Sequence, residues 1–206
     1  MTGDKVRIAV LVSGGGTNLQ ALLDAQGRGE IPHGEIVLVV SNKPGVYALE
    51  RARAAGVEAR VVEKRRGEQA DFEARLTALL RERRIDMIVL AGFLAILSGD
   101  FTARWPRRIL NVHPSLIPSF CGAGFYGLRV HQAALDYGVK VTGATVHYVN
   151  EIPDGGEIIA QKAVDVLPGD TPETLQRRVM EQAEWILLPR AAELAARELA
   201  ERSTQP

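Results

Sequence analysis

The sequence predicts a single α/β domain built on a Rossmann-like, mostly parallel twisted sheet with helices on both faces. Short, β-branched and almost wholly apolar segments alternate with amphipathic segments of helical period along the whole chain. The 206 residues are 46% apolar, which is enough for one domain with a substantial core. We therefore expect one domain over residues 1–206, with an antiparallel hairpin towards its C-terminal end.

The first half of the chain contains three strand–helix units. Residues 6–12 are apolar and β-branched, as in a central parallel strand, and Thr17 and Gln20 fit a capping box at the start of the first helix. Gly27 is the expected end of that helix. The further predicted elements of this half are strand 35–41, helix 47–55, strand 58–63 and helix 69–84.

The second half ends in a hairpin and a long helix. The predicted elements are strands 86–93 and 108–112, a glycine-rich loop over 114–129, helix 130–137, and strands 140–150 and 157–166 around a Pro-Asp-Gly-Gly turn. Thr171 as cap and Pro172 at the first helical position predict the last helix. We expect that helix to kink or break at Pro189 and residues 201–206 to fray.

Charge and cysteine content exclude several classes of protein. The 25 basic and 25 acidic residues balance, which argues against a general nucleic-acid binder. The lone Cys121 cannot form an internal disulfide and points to a reducing compartment, which we expect to be the cytoplasm. No apolar run approaches the roughly 18 residues that span a bilayer. Small molecules are thus the expected partners, without nucleic acid or membrane, and a homodimer is one candidate for the open question of oligomeric state.

A glycine loop follows the first strand and is a candidate anion site. It reads Ser13-Gly14-Gly15-Gly16-Thr17-Asn18. Its glycines let backbone N–H groups surround an anion, and the helix start adds unpaired donors and a positive dipole end. The alternative is a tight turn with an ordinary capping threonine, and the spacing leaves both open. It matches neither a dinucleotide fingerprint nor a Walker loop, which argues against ATP chemistry.

Asn111 and His113 form a second candidate, because alternate residues of a strand point the same way. An amide and an imidazole on one side of a strand end can stabilise an oxyanion and move a proton. The alternative is a histidine satisfied by backbone in a turn. Asp154 is either part of a hairpin turn or a carboxylate that orients His113, and the two interpretations weigh equally.

Other polar residues are interpreted as structural. His33 is expected to be exposed to solvent, and His131 at the surface or in loop packing. The charge run at 63–66 is interpreted as a solvated loop. Cys121 has no base beside it, so no nucleophile is predicted there. The spacing of histidines and cysteine does not make a zinc site.

Four motifs in this order resemble the phosphoribosylglycinamide formyltransferases, the folate-dependent enzymes of purine synthesis. They are residues 13–18, Gly92-Phe93-Leu94 with Ile96-Leu97-Ser98, residues 111–118 (NVHPSLIP) and Asp154-Gly155-Gly156. Each motif is weak alone, the combination is specific, and the likeness runs from residue 6 to about 189. The resemblance implies the formyltransferase fold and transfer of a formyl group from 10-formyltetrahydrofolate to the amine of glycinamide ribonucleotide, with no metal and no ATP.

The resemblance also implies roles for individual residues. The catalytic Asn, His and Asp of the family match Asn111, His113 and Asp154, which would stabilise a tetrahedral intermediate. The substrate-phosphate and ribonucleotide residues match Gly14, Gly15, Gly16, Thr17, Asn18 and, after an apparent one-residue insertion, Glu184. The folate cleft matches Leu94, Ala95, Ile96, Leu97, Asn111, Val149 and Asp154, with His147 and Thr145 as supporting residues. Ala95 stands where several members have an arginine, and the loop over 119–129 is longer than usual.

Three rival functions remain at this stage. A formyltetrahydrofolate hydrolase uses a similar centre with water as acceptor but usually carries an extra N-terminal domain. A methionyl-tRNA formyltransferase needs a C-terminal RNA-binding domain. A non-catalytic mononucleotide sensor would need only residues 14–18, and the presence of Asn111, His113 and Asp154 together disfavours it.

Overall fold

The computed structural model describes residues 5–203, and its centre is one seven-stranded sheet. The strands are β1 (Val6–Val12), β2 (Gly34–Ser41), β3 (Glu58–Val61), β4 (Met87–Leu90), β5 (Ile109–His113), β6 (Val141–Tyr148) and β7 (Ile158–Asp165). Their order across the sheet is β3-β2-β1-β4-β5-β6-β7. The first five strands pair in parallel, and β6 is antiparallel to both β5 and β7. The predicted fold class, including the edge hairpin, is confirmed.

Helices cover both faces of the sheet unequally. They are α1 (Thr17–Gly27), α2 (Tyr47–Ala54), α3 (Gln69–Glu82), the single turn α4 (Gly99–Thr102), α5 (Leu128–Tyr137), α6 (Pro172–Val179) and α7 (Trp185–Ser203). Side chains of α1, α2, α5, α6 and α7 pack in the larger core cluster, and those of α3 and α4 pack in the smaller one. No helix within residues 5–203 has the length and apolar character needed to cross a membrane.

Strand β1 shows why its residues are almost all apolar. Ile8 and Val10 belong to the larger core cluster, whereas Ala9 and Leu11 belong to the smaller one on the other face. Alternate side chains of a strand point to opposite faces, so a strand covered on both sides buries every residue. β1 lies between β2 and β4, where the order of the strands reverses. Ligands of open α/β sheets bind beyond the carboxyl ends of the strands at this position.

The start of α1 differs from the prediction. The capping box at Thr17 and Gln20 is wrong, because Gly16 is the N-cap and no side chain caps this helix. Gly16 has a φ of +75°, a left-handed conformation that glycine adopts without strain. The Thr17 hydroxyl instead lies 3.8 Å from the sulfur of Met180.

The C-terminal helix begins as predicted but does not break where expected. Thr171 caps α6 in a capping box with Thr174, and Pro172 follows directly. A π turn, Met180–Glu184, joins α6 to α7, and α7 continues through Pro189. The predicted break at Pro189 is therefore wrong. Pro189 lacks the N–H that would have bonded to the carbonyl of Trp185. Trp185 follows directly after the π turn, where the helical hydrogen bonds already change register. Residues 201–203 continue the helix, and 204–206 lie outside the described residues.

Candidate active site

Ser13 ties together three loops at the carboxyl ends of neighbouring strands. Its hydroxyl donates to the side-chain oxygen of Asn42 at 2.6 Å and accepts from the N–H of Leu94 at 2.9 Å. Asn42 follows β2, Ser13 follows β1, and Leu94 follows β4. Neither Ser13 nor Asn42 has a predicted role of its own, although each is the first polar side chain after an apolar strand.

The pairing of β5 with β6 brings the predicted catalytic residues together. Asn111 lies opposite His147, and His113 lies opposite Thr145. β6 runs against β5 and ends beside its first residues, and the turn after β6 folds back so that Asp154 contacts both Asn111 and His113. Strand register, rather than closeness in sequence, therefore assembles this centre.

Asp154 contacts the other three side chains of the centre, those of Asn111, His113 and His147. One carboxylate oxygen lies 3.4 Å from the Asn111 amide nitrogen and 3.6 Å from His147 Nε2. The other accepts from the N–H of Gly122 at 2.8 Å and lies 3.5 Å from His113 Nδ1. The Asp154 side chain is 14% exposed, and its backbone has a φ of +55°. This left-handed backbone, which aspartate tolerates better than most residues, aims the carboxylate inward.

The centre holds Asp154 in its charged form. Burial alone would raise the pKa of the Asp154 carboxyl, but the hydrogen bond with His147, the charge of His113 and the N–H of Gly122 outweigh it. The net effect is a pKa below the ordinary value. A carboxylate at this position can accept hydrogen bonds and balance an adjacent imidazolium across the working pH range of most enzymes.

The two histidines of the centre carry their protons differently. His113 has an acceptor at each nitrogen, the Phe120 carbonyl at 2.9 Å from Nε2 and Asp154 at Nδ1, so it donates to both only as an imidazolium. His147 Nδ1 lies 2.8 Å from the Tyr148 carbonyl, which assigns its proton to that nitrogen. His147 Nε2 lies 3.2 Å from the Asn111 amide nitrogen and 3.6 Å from an Asp154 oxygen, so it donates to Asp154 when it carries a proton and accepts from Asn111 when it does not.

Thr145 supports the loop after β5 rather than the reacting groups. Its hydroxyl donates to the Ser115 carbonyl at 2.7 Å and accepts from the N–H of Ile117 at 3.0 Å. The amide of Gln161 adds a third contact at 3.0 Å. Thr145 is completely buried, so this hydroxyl fixes the first turn of the 114–127 loop from below.

A cavity of about 640 Å³ connects the glycine loop with this centre. Asn18 and Glu184 line one part of its wall, and Asn111, His113 and Asp154 line another. The remaining wall includes Leu94, Ile96, Pro153, Gln176, Met180 and residues 122–127. The contributions of residues 122–127, Gln176 and Met180 to this wall were not predicted, and the glycine-rich composition of the loop is the one sequence signal for them.

The predicted folate residues divide into two groups. Leu94 and Ile96 are on the cavity wall and are 56% and 68% exposed, an unusual state for large apolar side chains. Leu97 and Val149 pack in the smaller core cluster, and the Val149 N–H already donates to the Ile109 carbonyl at 2.8 Å. Ala95 is half-buried beside the wall-forming pair.

Glu184 is a buried carboxyl on the cavity wall. The amide of Asn18 donates to it at 2.6 Å, which joins the last helix to the glycine loop. Burial raises the pKa of Glu184 to about 7, against the smaller opposing effect of the Asn18 hydrogen bond. The π turn ends at Glu184, and a wide turn of this kind is one way in which a helix holds an extra residue; the one-residue insertion implied upstream of Glu184 stays a prediction.

The glycine loop presents an open surface. Gly14 and Gly15 are exposed, and a Cβ added to either would have no neighbour within 4 Å. At Gly16, an added Cβ would lie 2.7 Å from the Cβ of Ala48, so α2 packs directly against the loop. Phosphate binding at this loop stays a prediction.

Three residues outside the centre, which the sequence predicted to be structural, can be compared with their positions in the structure. The expectation that His131 lies at the surface or in loop packing is wrong. His131 is completely buried in α5, and both of its ring nitrogens lack a partner among the described residues. Burial and then the charge of His113 lower the pKa of His131 to about 4. His33 is half-exposed and contacts Glu193. Burial and then Asp154 raise the pKa of Cys121, which disfavours the nucleophilic thiolate. No group of three or more His, Cys, Asp or Glu residues within 5–203 is arranged to hold a metal ion.

Comparisons with known proteins agree with this geometry. The family profile described as Formyl transferase matches residues 6–191. The trifunctional purine biosynthetic protein adenosine-3 of Gallus gallus is 48% identical over 94% of this chain and 19% of its own length. The phosphoribosylglycinamide formyltransferase of Haemophilus influenzae is 41% identical over 85% of this chain and 81% of its own length. The crystal structure of glycinamide ribonucleotide transformylase 1 from Symbiobacterium toebii has a TM-score of 0.87 at 42% identity, covering 94% of this chain and 89% of that one.

The coverage defines what these matches establish. The chain spans about a fifth of the length of the trifunctional relatives and most of the length of the Haemophilus influenzae relative. The profile match covers nearly all of β1 to α7, including both the glycine loop and the Asn111–His113 strand. The chain therefore belongs to the formyl transferase family.

Proposed function

We propose that the protein transfers the formyl group of 10-formyltetrahydrofolate to the amine of glycinamide ribonucleotide in purine biosynthesis. The observation that carries the proposal is one cavity whose wall includes Asn111, His113 and Asp154 as well as Asn18 of the glycine loop. A sensor for a mononucleotide would need only the second of these parts. Relatives named for this activity, at 41% and 42% identity over most of their length, give independent support.

The ribonucleotide would occupy the side of the cavity nearer the glycine loop. Its phosphate is assigned to the backbone N–H groups of residues 14–18, at the start of α1, where the helix dipole also favours an anion. Glu184, 2.6 Å from the Asn18 amide, is placed to accept from a sugar hydroxyl. This arrangement would direct the glycinamide amine towards Asp154.

The folate would occupy the side with exposed apolar side chains. Leu94 and Ile96 offer surface for an aromatic ring system, and burying it would add about 25 cal/mol for each Å² removed from water. Polar ring edges would then pair with backbone groups of the turn that carries Asp154. The formyl carbon would in this way lie between Asp154 and Asn111.

The chemistry follows from these positions. The amine attacks the formyl carbon, a C–N bond forms, and negative charge develops on the formyl oxygen. Asn111 and protonated His113 donate to that oxygen, and Asp154 balances the imidazolium. The bond from carbon to N10 of the folate then breaks, and Asp154 organises transfer of the amine proton to N10. The products are the formylated ribonucleotide and tetrahydrofolate.

His113 needs a change of partner for this role. Its Nε2–H donates to the Phe120 carbonyl at 2.9 Å, so a formyl oxygen would take the place of that carbonyl. Phe120 belongs to the 114–127 loop. Two residues further along this loop, the N–H of Gly122 donates to Asp154. The loop therefore contacts both the proposed oxyanion donor His113 and the proposed proton-transfer group Asp154.

Further parts of the proposal concern setting rather than chemistry. We propose a reaction without metal or ATP, because the attacking amine needs only a proton acceptor and an oxyanion site. The proposed partners are the two small-molecule substrates, with a homodimer as the candidate assembly and the cytoplasm as the compartment. Each of these assignments is open to direct measurement.

A single assay tests the function. The protein is mixed with 10-formyltetrahydrofolate, with and without glycinamide ribonucleotide, and the folate absorbance is followed. Loss of the formyl group only when the amine is present supports the transferase. Equal rates without the amine would identify a hydrolase, and no reaction in either case would leave a nucleotide-binding protein.

A further inference from the structure

Helix α2 packs against the outer side of the glycine loop and holds its carbonyl groups. The Gly14 carbonyl accepts from the N–H of Ala48 at 3.2 Å, and the Gly15 carbonyl accepts from Arg51 Nε at 2.8 Å. Ala48 also fills the space beside Gly16, where an added Cβ would lie 2.7 Å from the Ala48 Cβ. Two successive peptides of the loop are thus anchored to one helix.

This anchoring sets the direction of the loop's donors. In a trans peptide the N–H points opposite to the C=O of the same peptide plane. Because the carbonyls of Gly14 and Gly15 point to α2, the N–H groups of Gly15 and Gly16 point away from it. Within residues 5–203, neither N–H has an acceptor. The two donors are therefore free and point away from α2.

Arg51 is held in place by three contacts. Besides donating to Gly15, its guanidinium donates to the side-chain oxygen of Gln20 at 3.0 Å and lies 4.8 Å from the centre of the Tyr47 ring. The amide nitrogen of Gln20 is itself engaged with Asp24 at 2.8 Å. A guanidinium fixed by a carbonyl, an amide and an aromatic face keeps one orientation at the edge of the loop.

Within the described part of the chain, Arg51 has no direct ion-pair partner, and Asp24 is linked to it only through the Gln20 amide. No carboxylate within residues 5–203 forms an ion pair with it, whereas Arg53 on the same helix pairs with Glu50. A carboxylate partner would cancel the field of the guanidinium at the loop. Without one, Arg51 adds a full positive charge next to donors that carry only partial charges.

We propose that Arg51 is the positioning residue of an anion site at the glycine loop. It fixes the Gly15–Gly16 peptide with its N–H outward and supplies the positive charge that a phosphate monoester dianion requires. This inference rests on the proposed function in one respect, namely that the phosphate of the ribonucleotide binds at residues 14–18. Arg51 acts through the peptide and through its field, and does not need to touch the phosphate.

The test compares Arg51→Gln with Arg53→Gln, which removes an equal charge from the same helix at an exposed ion pair. For Arg51→Gln we expect the KM for glycinamide ribonucleotide to rise on the order of tenfold, as for loss of a charge-assisted interaction, with kcat and the folate KM within about twofold. Inhibition by inorganic phosphate should weaken by a similar factor. Arg51→Lys, which keeps the charge but loses the Nε–H contact, should be intermediate.

Two results would overturn the proposal. One is an Arg51→Gln variant whose ribonucleotide KM and phosphate inhibition equal those of Arg53→Gln. The other is a parallel rise in both substrate KM values with a lowered unfolding temperature, which would indicate a merely structural role. If the wild-type protein does not formylate the ribonucleotide, the proposed function fails instead. Calorimetric titration of wild type and Arg51→Gln with inorganic phosphate still tests the anion site in that case, and equal affinities would reject it.

Discussion

The glycine loop and the Asp154 centre are built in opposite ways. The loop is one continuous segment whose donors are backbone N–H groups, and Gly14 and Gly15 are exposed. The centre combines side chains from β5, β6 and a distant turn, and His113 is only 4% exposed. Because the loop depends on conformation and the centre on side-chain chemistry, substitutions should affect them differently. A change at Gly16 should impair the loop through backbone strain and overpacking, whereas truncations at the centre should impair turnover without unfolding the chain.

The largest effect should come from removing an oxyanion donor at the centre. We expect Asn111→Ala and His113→Ala each to lower kcat by about 10²–10³, because a single donor of this kind is typically worth that factor. Steady-state kinetics with both substrates measure the loss, and thermal unfolding checks that the fold persists. Near-wild-type turnover in either variant would contradict the assignment of the centre.

The pH dependence of stability at Glu184 tests whether a carboxyl with a raised pKa borders the loop side of the cavity. Its folded pKa of about 7 exceeds the ordinary 4.5, so the neutral carboxyl stabilises the fold below about pH 4.5 and this contribution is lost as pH rises through 7. Glu184→Gln does not titrate and keeps an acceptor for Asn18. Relative to wild type, its free energy of unfolding should increase by about 3 kcal/mol between pH 4.5 and pH 8.

Urea unfolding of the wild type and Glu184→Gln across that range measures the difference. A difference that stays constant with pH would mean that Glu184 keeps its ordinary pKa, so that a carboxylate would border the loop as well as the centre at neutral pH. A rising difference would show that the carboxyl beside the loop stays neutral up to about pH 7, unlike Asp154.

Alanine substitutions at Gly16 and Gly29 distinguish the cost of overpacking from the cost of backbone strain. Both have positive φ, +75° and +73°, but an added Cβ meets Ala48 at 2.7 Å only at Gly16 and has open space at Gly29. Gly29→Ala should therefore cost about 1–2 kcal/mol of stability from the left-handed backbone, and Gly16→Ala about 1–3 kcal/mol more from overpacking. Denaturant unfolding curves give both values. Equal losses of stability would mean that α2 moves to accommodate the added methyl group at residue 16.

Thr145 should give the smallest effect. Thr145→Val keeps the shape but leaves the Ser115 carbonyl and the Ile117 N–H without their buried partner, at a cost of about 1–2 kcal/mol. We expect kcat to change less than for Asn111→Ala, since the hydrogen bonds of the Thr145 hydroxyl go to Ser115, Ile117 and Gln161 rather than to Asn111, His113 or Asp154. A loss of kcat as large as that of Asn111→Ala would move Thr145 from the supporting loop into the centre.

Local signals predicted much of the fold and part of the site. The strand pattern of residues 6–12 and the Thr171–Pro172 helix start follow from periodicity and capping, which act over a few residues. The same spacing argument placed Asn111 and His113 on one side of β5. The burial of His131 and the N–H that Gly122 gives to Asp154 depend on the path of the 114–127 loop over other elements. No short-range pattern encodes such a path, so these features could not be predicted.

The π turn at Met180–Glu184 has a consequence for how this protein can vary in evolution. An extra residue in a regular α-helix would rotate every following side chain by about 100° and would turn Leu188 and Ala192 out of the core. A wide turn confines that rotation to one turn, so insertions and deletions are tolerated there without repacking α7. The wall beside Glu184 can therefore change length independently of the scaffold, and lineages can reshape this part of the cavity while the core stays constant.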